Sequence, residues 1–195
     1  MKLVDIVQGS NSWHQFRRLH IGASESSVLL GVNPWKTRLQ LYEEKILGWE
    51  EPMNDKMKRG QEMEEPARAA YQLLTNTIVI PVVAVHDKYD YISASFDGLT
   101  EDYKRGVEIK CGKSSHKLAQ SGECPPYYFT QCQAQMLVAD LSELDYFSFD
   151  GKEGILLNIK RDDELISQML DIYAEFWDCV LSKTPPKGLK DEFPF

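Results

Sequence analysis

Apolar residues recur every two positions in the middle of the chain and every three to four on either side, and this change of period predicts the elements. Before the change, residues 12–18 read as a short helix, followed by a turn at Ile21-Gly22-Ala23. A second helix opens at Ser24 and closes at Gly31, and a third spans 37–47, stopped by Gly48. Residues 59–74 form a stronger helical stretch, and Pro66, tolerated only in a first turn, places the start of regular helix near Glu64. Residues 77–85 are β-branched and apolar and predict a buried strand. After a turn at 87–90, residues 91–96 alternate with Ile92, Ala94 and Phe96 on one face. A short strand follows at 107–111, then a helix at 127–141 behind Pro125-Pro126. Strands at 145–149 and 154–160 pair around Asp150-Gly151. A last amphipathic helix from Asp162 to about Leu181 buries Leu165, Met169, Ile172, Phe176 and Val180. The order predicts one α/β domain over residues 1–195, a central mixed sheet flanked by helices, with an irregular tail from about 183.

At 195 residues and 43% hydrophobic content the chain is long enough for a real core. Its longest apolar run, 78–85, is too short to cross a bilayer, and an acid at Asp5 interrupts any signal peptide, so an intracellular protein is expected. Cys111, Cys124, Cys132 and Cys179 lack metal-finger spacing and read as free thiols. A net charge of −8 argues against a nucleic-acid partner, but its distribution is uneven. Residues 104–117 hold five bases and one acid, whereas from Asp162 onward eight acids face three lysines. One face is thereby left able to attract phosphate.

The chemistry concentrates in Ser95-Phe96-Asp97-Gly98 and Val107-Glu108-Ile109-Lys110. On a strand, Glu108 and Lys110 share one face while Val107 and Ile109 bury into the other. Asp97 ends the preceding strand, where a hairpin brings it beside Glu108. Two carboxylates there make a hard oxygen site suited to Mg²⁺, with Lys110 placed to stabilise charge on a phosphoryl group. A charged strand face is more often merely solvated; here the short strand, its apolar reverse and the second acid shift the balance. Glu64 shares a helix stripe with Ala67, Tyr71 and Leu74 and so faces inward, although an acid in a helix's first turn also suits the dipole.

These blocks, with Gly60-Gln61-Glu62-Met63-Glu64 before them, resemble the PD-(D/E)xK nuclease superfamily and, more narrowly, the phage lambda exonuclease family of YqaJ-like viral recombinases. Trp13-x-x-x-Arg17, Ala23-Ser24-Glu25 and Tyr128-x-x-Gln131-x-Gln133 extend the resemblance from residue 12 to about 180. It implies a restriction-endonuclease-like core and a Mg²⁺-dependent (Mn²⁺ substituting) 5′→3′ exonuclease on one strand of linear duplex DNA. The enzyme would be phage or prophage encoded and act in the bacterial cytoplasm, as a homotrimer with a single-strand annealing recombinase as partner. Asp97, Glu108 and the carbonyl of Ile109 match its metal ligands, Asp87 a further acid, and Lys110 and Glu64 its catalytic pair. Arg17, Ser24 and Ser95 match a 5′-phosphate pocket; a helix-start serine among free N–H groups is independently a natural anion site. His116 stands where the family has an arginine, with Lys113 and Lys117 as neighbouring point charges.

Other readings stay open. Gln131 and Gln133 are equally helix-surface amides, and Trp35, after Pro34, is a packed core residue before it is a stacking side chain at a duplex fork. A RecB-like or Cas4-like nuclease, a restriction-type endonuclease, and a DNA-binding module without chemistry are the alternatives. The intact Asp97, Glu108 and Lys110 speak against the last.

Overall fold

The β-branched and alternating segments form one mixed sheet of seven strands in the computed structural model, which describes residues 1–48 and 54–186. The strands are β1 (Lys2–Val4), β2 (Ile21–Gly22), β3 (Ile80–Val85), β4 (Ile92–Leu99), β5 (Gly106–Lys110), β6 (Glu143–Phe149) and β7 (Gly154–Lys160). The main path runs β1-β3-β4-β5-β6-β7, and β2 pairs with β4 off that path. Only β5–β6 and β2–β4 are parallel; the other pairs are antiparallel. The fold is the expected α/β class with a mixed central sheet flanked by helices.

The helices are α1 (Asn11–Arg18), α2 (Ser26–Leu29), α3 (Arg38–Leu47), α4 (Asp55–Thr75), α5 (Lys113–Gln120), α6 (Pro126–Ala139) and α7 (Asp163–Ser182). Residues Thr130–Val138 of α6 are buried on every side, as befits a helix sandwiched between the sheet and an outer layer. Its face of the sheet carries the larger cluster, with Phe96, Met136, Tyr146, Met169 and Tyr173 at its centre. The opposite face is closed by α4, whose Ala67 and Tyr71 pack on Val107, Ile109 and Phe147. Thus Val107 and Ile109 point away from Glu108 and Lys110, as the two-residue period demands.

Several elements differ from expectation. Helix α4 starts at Asp55, nine residues before Glu64, and carries the exposed Pro66 in its interior. The ring forfeits one main-chain hydrogen bond there, a cost of about 3 kcal/mol that the packing of Ala67 and Tyr71 offsets. The buried stripe of α7 is Ile166, Met169, Tyr173 and Phe176, so Leu165, Ile172 and Val180 lie at its margin. Ser24 belongs to a 3-10 turn (Ala23–Glu25) preceding α2, not to one continuous helix. Strand β1 and helix α5 have too few periodic positions to announce themselves. The tail beyond Pro186 lies outside the described residues.

Candidate active site

One edge of β4 is paired only at its ends. There β2 meets Ile92 and Ser93, and β5 meets Gly98 and Leu99. Between these contacts is a gap, where no strand among the described residues pairs with residues 95–97 on that side: from Tyr91 to Ser95 the odd-numbered residues turn their carbonyls away from β3, and the β3–β4 register slips between Val82 and Ile80, opposite Asp97 and Gly98. Buried carbonyls require donors, and side chains supply them. Gln135 Nε2 donates to the Ser95 carbonyl at 3.1 Å, and Arg68 Nε donates to the Asp97 carbonyl at 2.6 Å. The Asp97 carboxylate closes the gap towards β5 by accepting the Ile109 amide at 2.7 Å. In an extended strand the carbonyl of a residue points to the same side as its amide, so the Ile109 carbonyl also faces the gap.

Glu108 is fully buried. Its carboxylate accepts from Gln131 Nε2 at 2.6 Å and Gln135 Nε2 at 2.5 Å, both on α6, and pairs with the Lys110 ammonium. Burial and the neighbouring Asp97 push the Glu108 carboxyl up to about 7. Asp97 itself is raised by burial, against the pull of Lys110. Burial alone would lower the Lys110 ammonium, yet Glu108 and Asp97 hold it above its ordinary value, so it stays charged. Lys110 Nζ also lies 4.9 Å from the centre of the Tyr128 ring. Glu64 reaches the same place from α4. It accepts from Arg68 at 2.5 Å, and burial and Asp97 raise its carboxyl. Three carboxylates therefore face two cations, Lys110 and Arg68, which leaves a negative excess in a partly desolvated pocket. A divalent cation is the species that such an excess fits.

Two residues up β4 from Asp97, about 7 Å along the strand, Ser95 Oγ accepts from Trp13 Nε1 at 2.9 Å. The Arg17 guanidinium lies 4.8 Å from the centre of the Trp13 ring and donates to Ser24 Oγ at 3.1 Å. The four-residue spacing of Trp13 and Arg17 on α1 is what brings ring and guanidinium together. Arg17, Ser24 and Ser95 are thereby linked beside the carboxylates.

Other expected residues are not brought here. Asp87 sits at the turn after β3, exposed, bound to the N-terminal amine of Met1 at 2.6 Å. Its hairpin end pairs Val85 with Ser93, four residues and about 13 Å from Asp97 along the strand. His116 is buried on α5, its Nδ1 3.3 Å from the Ser148 carbonyl on β6, beyond β5 from Arg17 and Ser24. Lys113 and Lys117 are its exposed neighbours on the same helix. Gln133 is structural: it donates to the Lys160 carbonyl and accepts from the Asp162 amide. Trp35 is not core but 69% exposed, edge-on to Tyr127 at 5.0 Å. Conversely, Arg68 and Gln135 belong to the site without having been singled out. Each lies four residues after a partner of the cluster, Glu64 and Gln131, and that helical spacing was the available signal.

Comparison with known proteins places the chain's family and fold. Residues 12–142 match the YqaJ-like viral recombinase domain. A Bacillus subtilis protein, "Uncharacterized protein YqaJ", is 28% identical over 185 residues; the match covers 90% of this chain but 58% of that relative, so the chain spans less than two thirds of its length. Among solved structures, the alkaline exonuclease LHK-Exo from Laribacter hongkongensis superposes with a TM-score of 0.79 at 26% identity, covering 90% of this chain and 94% of the other. Its complex with dAMP gives 0.80 at 27%, with the same coverage. A phage-related exonuclease from Haemophilus somnus shares the fold alone, with a TM-score of 0.58 at 15% identity, covering 87% of this chain and 98% of that one. With two thirds of its residues matched in order, the chain belongs to the YqaJ-like viral recombinase domain family.

Proposed function

We propose that this chain is a metal-dependent exonuclease that degrades one strand of linear duplex DNA from a 5′-phosphorylated end. The observation that carries the reading is the convergence of Asp97, Glu108, Lys110 and Glu64 at the gap in the sheet, with the Arg17–Ser24–Ser95 cluster beside it on the same strand. The similarity to an exonuclease solved with dAMP supports a nucleotide substrate at such a site.

Among the described residues no three His, Cys, Asp or Glu side chains are arranged to hold a metal ion. Asp97, Glu108 and the Ile109 carbonyl would therefore share a cation with water. That donor set suits Mg²⁺, with Mn²⁺ as a substitute. When bound, the ion would supply Lewis-acid polarisation of a phosphoryl oxygen. Lys110, kept charged by Glu108 and Asp97, would hold the developing negative charge of the scissile phosphate. Glu64, with its raised proton affinity, would accept the proton of the attacking water at its carboxylate. Arg17, Ser24 and Ser95 would grip the terminal 5′-phosphate, and this contact would set the 5′→3′ direction. Exposed Trp35 would stack against an unpaired base.

The homotrimer, a single-strand annealing recombinase as partner, and a role in phage-type recombination within the bacterial cytoplasm belong to the same reading and rest on the family resemblance. Among the described residues no helix is long and apolar enough to cross a membrane. The experiment is digestion with Mg²⁺ of linear duplex DNA bearing 5′-phosphate or 5′-hydroxyl ends, beside closed circles. Faster loss of phosphorylated linear DNA and intact circles are expected. Nicking of circles would favour an endonuclease.

A further inference from the structure

Behind Arg17 lies a buried acid, Glu25, and a buried base, Lys45, from α3. Lys45 Nζ lies 2.8 Å from the Glu25 carboxylate and 2.7 Å from each of the main-chain carbonyls of Arg17 and His20. An ammonium has three donors, and all three are used. Two satisfy carbonyls around the C-terminal end of α1, where the helix leaves acceptors open. The third neutralises a carboxylate that also accepts the Gly22 amide at 2.9 Å. Arg17 touches the same carboxylate at the longer distance of 3.3 Å and remains 30% exposed in its side chain. Lys45 is thus the closer partner of Glu25, and Arg17 the looser and outward one.

We propose that Lys45 is a positioning residue of the phosphate pocket: by neutralising Glu25 it leaves the Arg17 guanidinium with an unspent positive charge aimed at a terminal phosphate. This rests on the 5′-phosphate reading of Arg17, Ser24 and Ser95. Two cations and one anion give the triad a net charge of +1, carried at its exposed member. Without the ammonium, a buried carboxylate cannot stay unpaired, and it would draw Arg17 inward as its only cation in the triad. Burial by itself would raise the Glu25 carboxyl, but Lys45 and Arg17 hold it below its ordinary value, so the acid is charged and competes with any incoming anion.

The test is the ratio of initial rates on 5′-phosphorylated and 5′-hydroxyl linear duplexes, in which a general loss of folded enzyme cancels. Lys45→Met is expected to lower the ratio by about tenfold, the worth of one charge-assisted contact. Lys45→Met/Glu25→Gln removes both buried charges together and is expected to restore it, because Arg17 no longer has a competing carboxylate. An unchanged ratio in Lys45→Met overturns the proposal and leaves the pocket standing. Equal rates on both ends in the wild type overturn the pocket and the proposal together. Should Lys45→Met fail to fold, the double variant decides: a retained preference supports the charge-balance role, and a lost one overturns it.

Discussion

The Arg68 side chain spans from helix α4 to strand β4, donating to the main-chain carbonyl of Asp97 at 2.6 Å and to the Glu64 carboxylate at 2.5 Å. One guanidinium thereby fixes the distance between the proposed proton acceptor and the carboxylate strand. Its planar fork holds two acceptors in set directions, which a lysine point charge does not. Arg68→Met should leave the fold intact and lower cleavage by about tenfold to a hundredfold, the range for displaced catalytic groups. Arg68→Lys should recover only part of that loss. Initial rates with circular dichroism check both, and wild-type rates in Arg68→Met would remove Arg68 from the site.

Gly98 follows Asp97 for a steric reason. A Cβ there would lie 2.5 Å from Val79 Cγ2 and 2.8 Å from Val107 Cγ1. Val79 and Val107 are buried in the cluster under α4, so a Cβ there forces a shift of these side chains or of β4. Gly98→Ala should therefore cost about 1–3 kcal/mol in urea unfolding. It should also lower activity by more than that loss of folded protein explains, because Asp97 shifts with the strand. Unchanged stability would show that the interior gives way freely.

The sequence displayed the Asp97, Glu108 and Lys110 cluster because strand alternation and spacing suffice to place those side chains. The gap in β4 was not legible, since it depends on β2, a two-residue strand formed by Ile21 and Gly22 from a distant part of the chain. The main-chain contacts of Gln135 and Arg68 follow from that gap, which leaves the Ser95 and Asp97 carbonyls without strand partners. Asp87 and His116 match the family pattern only by position along the chain. Asp87 is carried away by the direction of the β3–β4 hairpin, and His116 by the packing of α5 on β6. The class of fold followed from the order of periods, whereas Pro66 misplaced the start of α4 because tertiary packing overrode a local breaker.

The clustered acids give a signed dependence of stability on pH. Glu108 has an ordinary value of 4.5 and is pushed up to about 7 by burial and Asp97. A raised folded-state value means that the native protein keeps a proton the unfolded chain has released. Its contribution is therefore full below 4.5 and is lost as pH rises through about 7. In EDTA, the wild type should lose thermal stability relative to Glu108→Gln across that window. Added Mg²⁺ should reverse the trend at its upper end, where the carboxylate is free to bind. A gap between the two proteins that does not change with pH would contradict the assignment.

The most direct test is the initial rate of nucleotide release from 5′-phosphorylated linear duplex DNA with Mg²⁺, comparing wild type with Lys110→Ala. Lys110 pairs with Glu108 and faces the Tyr128 ring, so its removal takes the charge stabiliser from the centre of the cluster. The expected result is a loss of about a hundredfold or more, on the order of 3 kcal/mol of transition-state stabilisation, in a protein that remains folded by circular dichroism. A folded Lys110→Ala protein that releases nucleotides at close to the wild-type rate would contradict it.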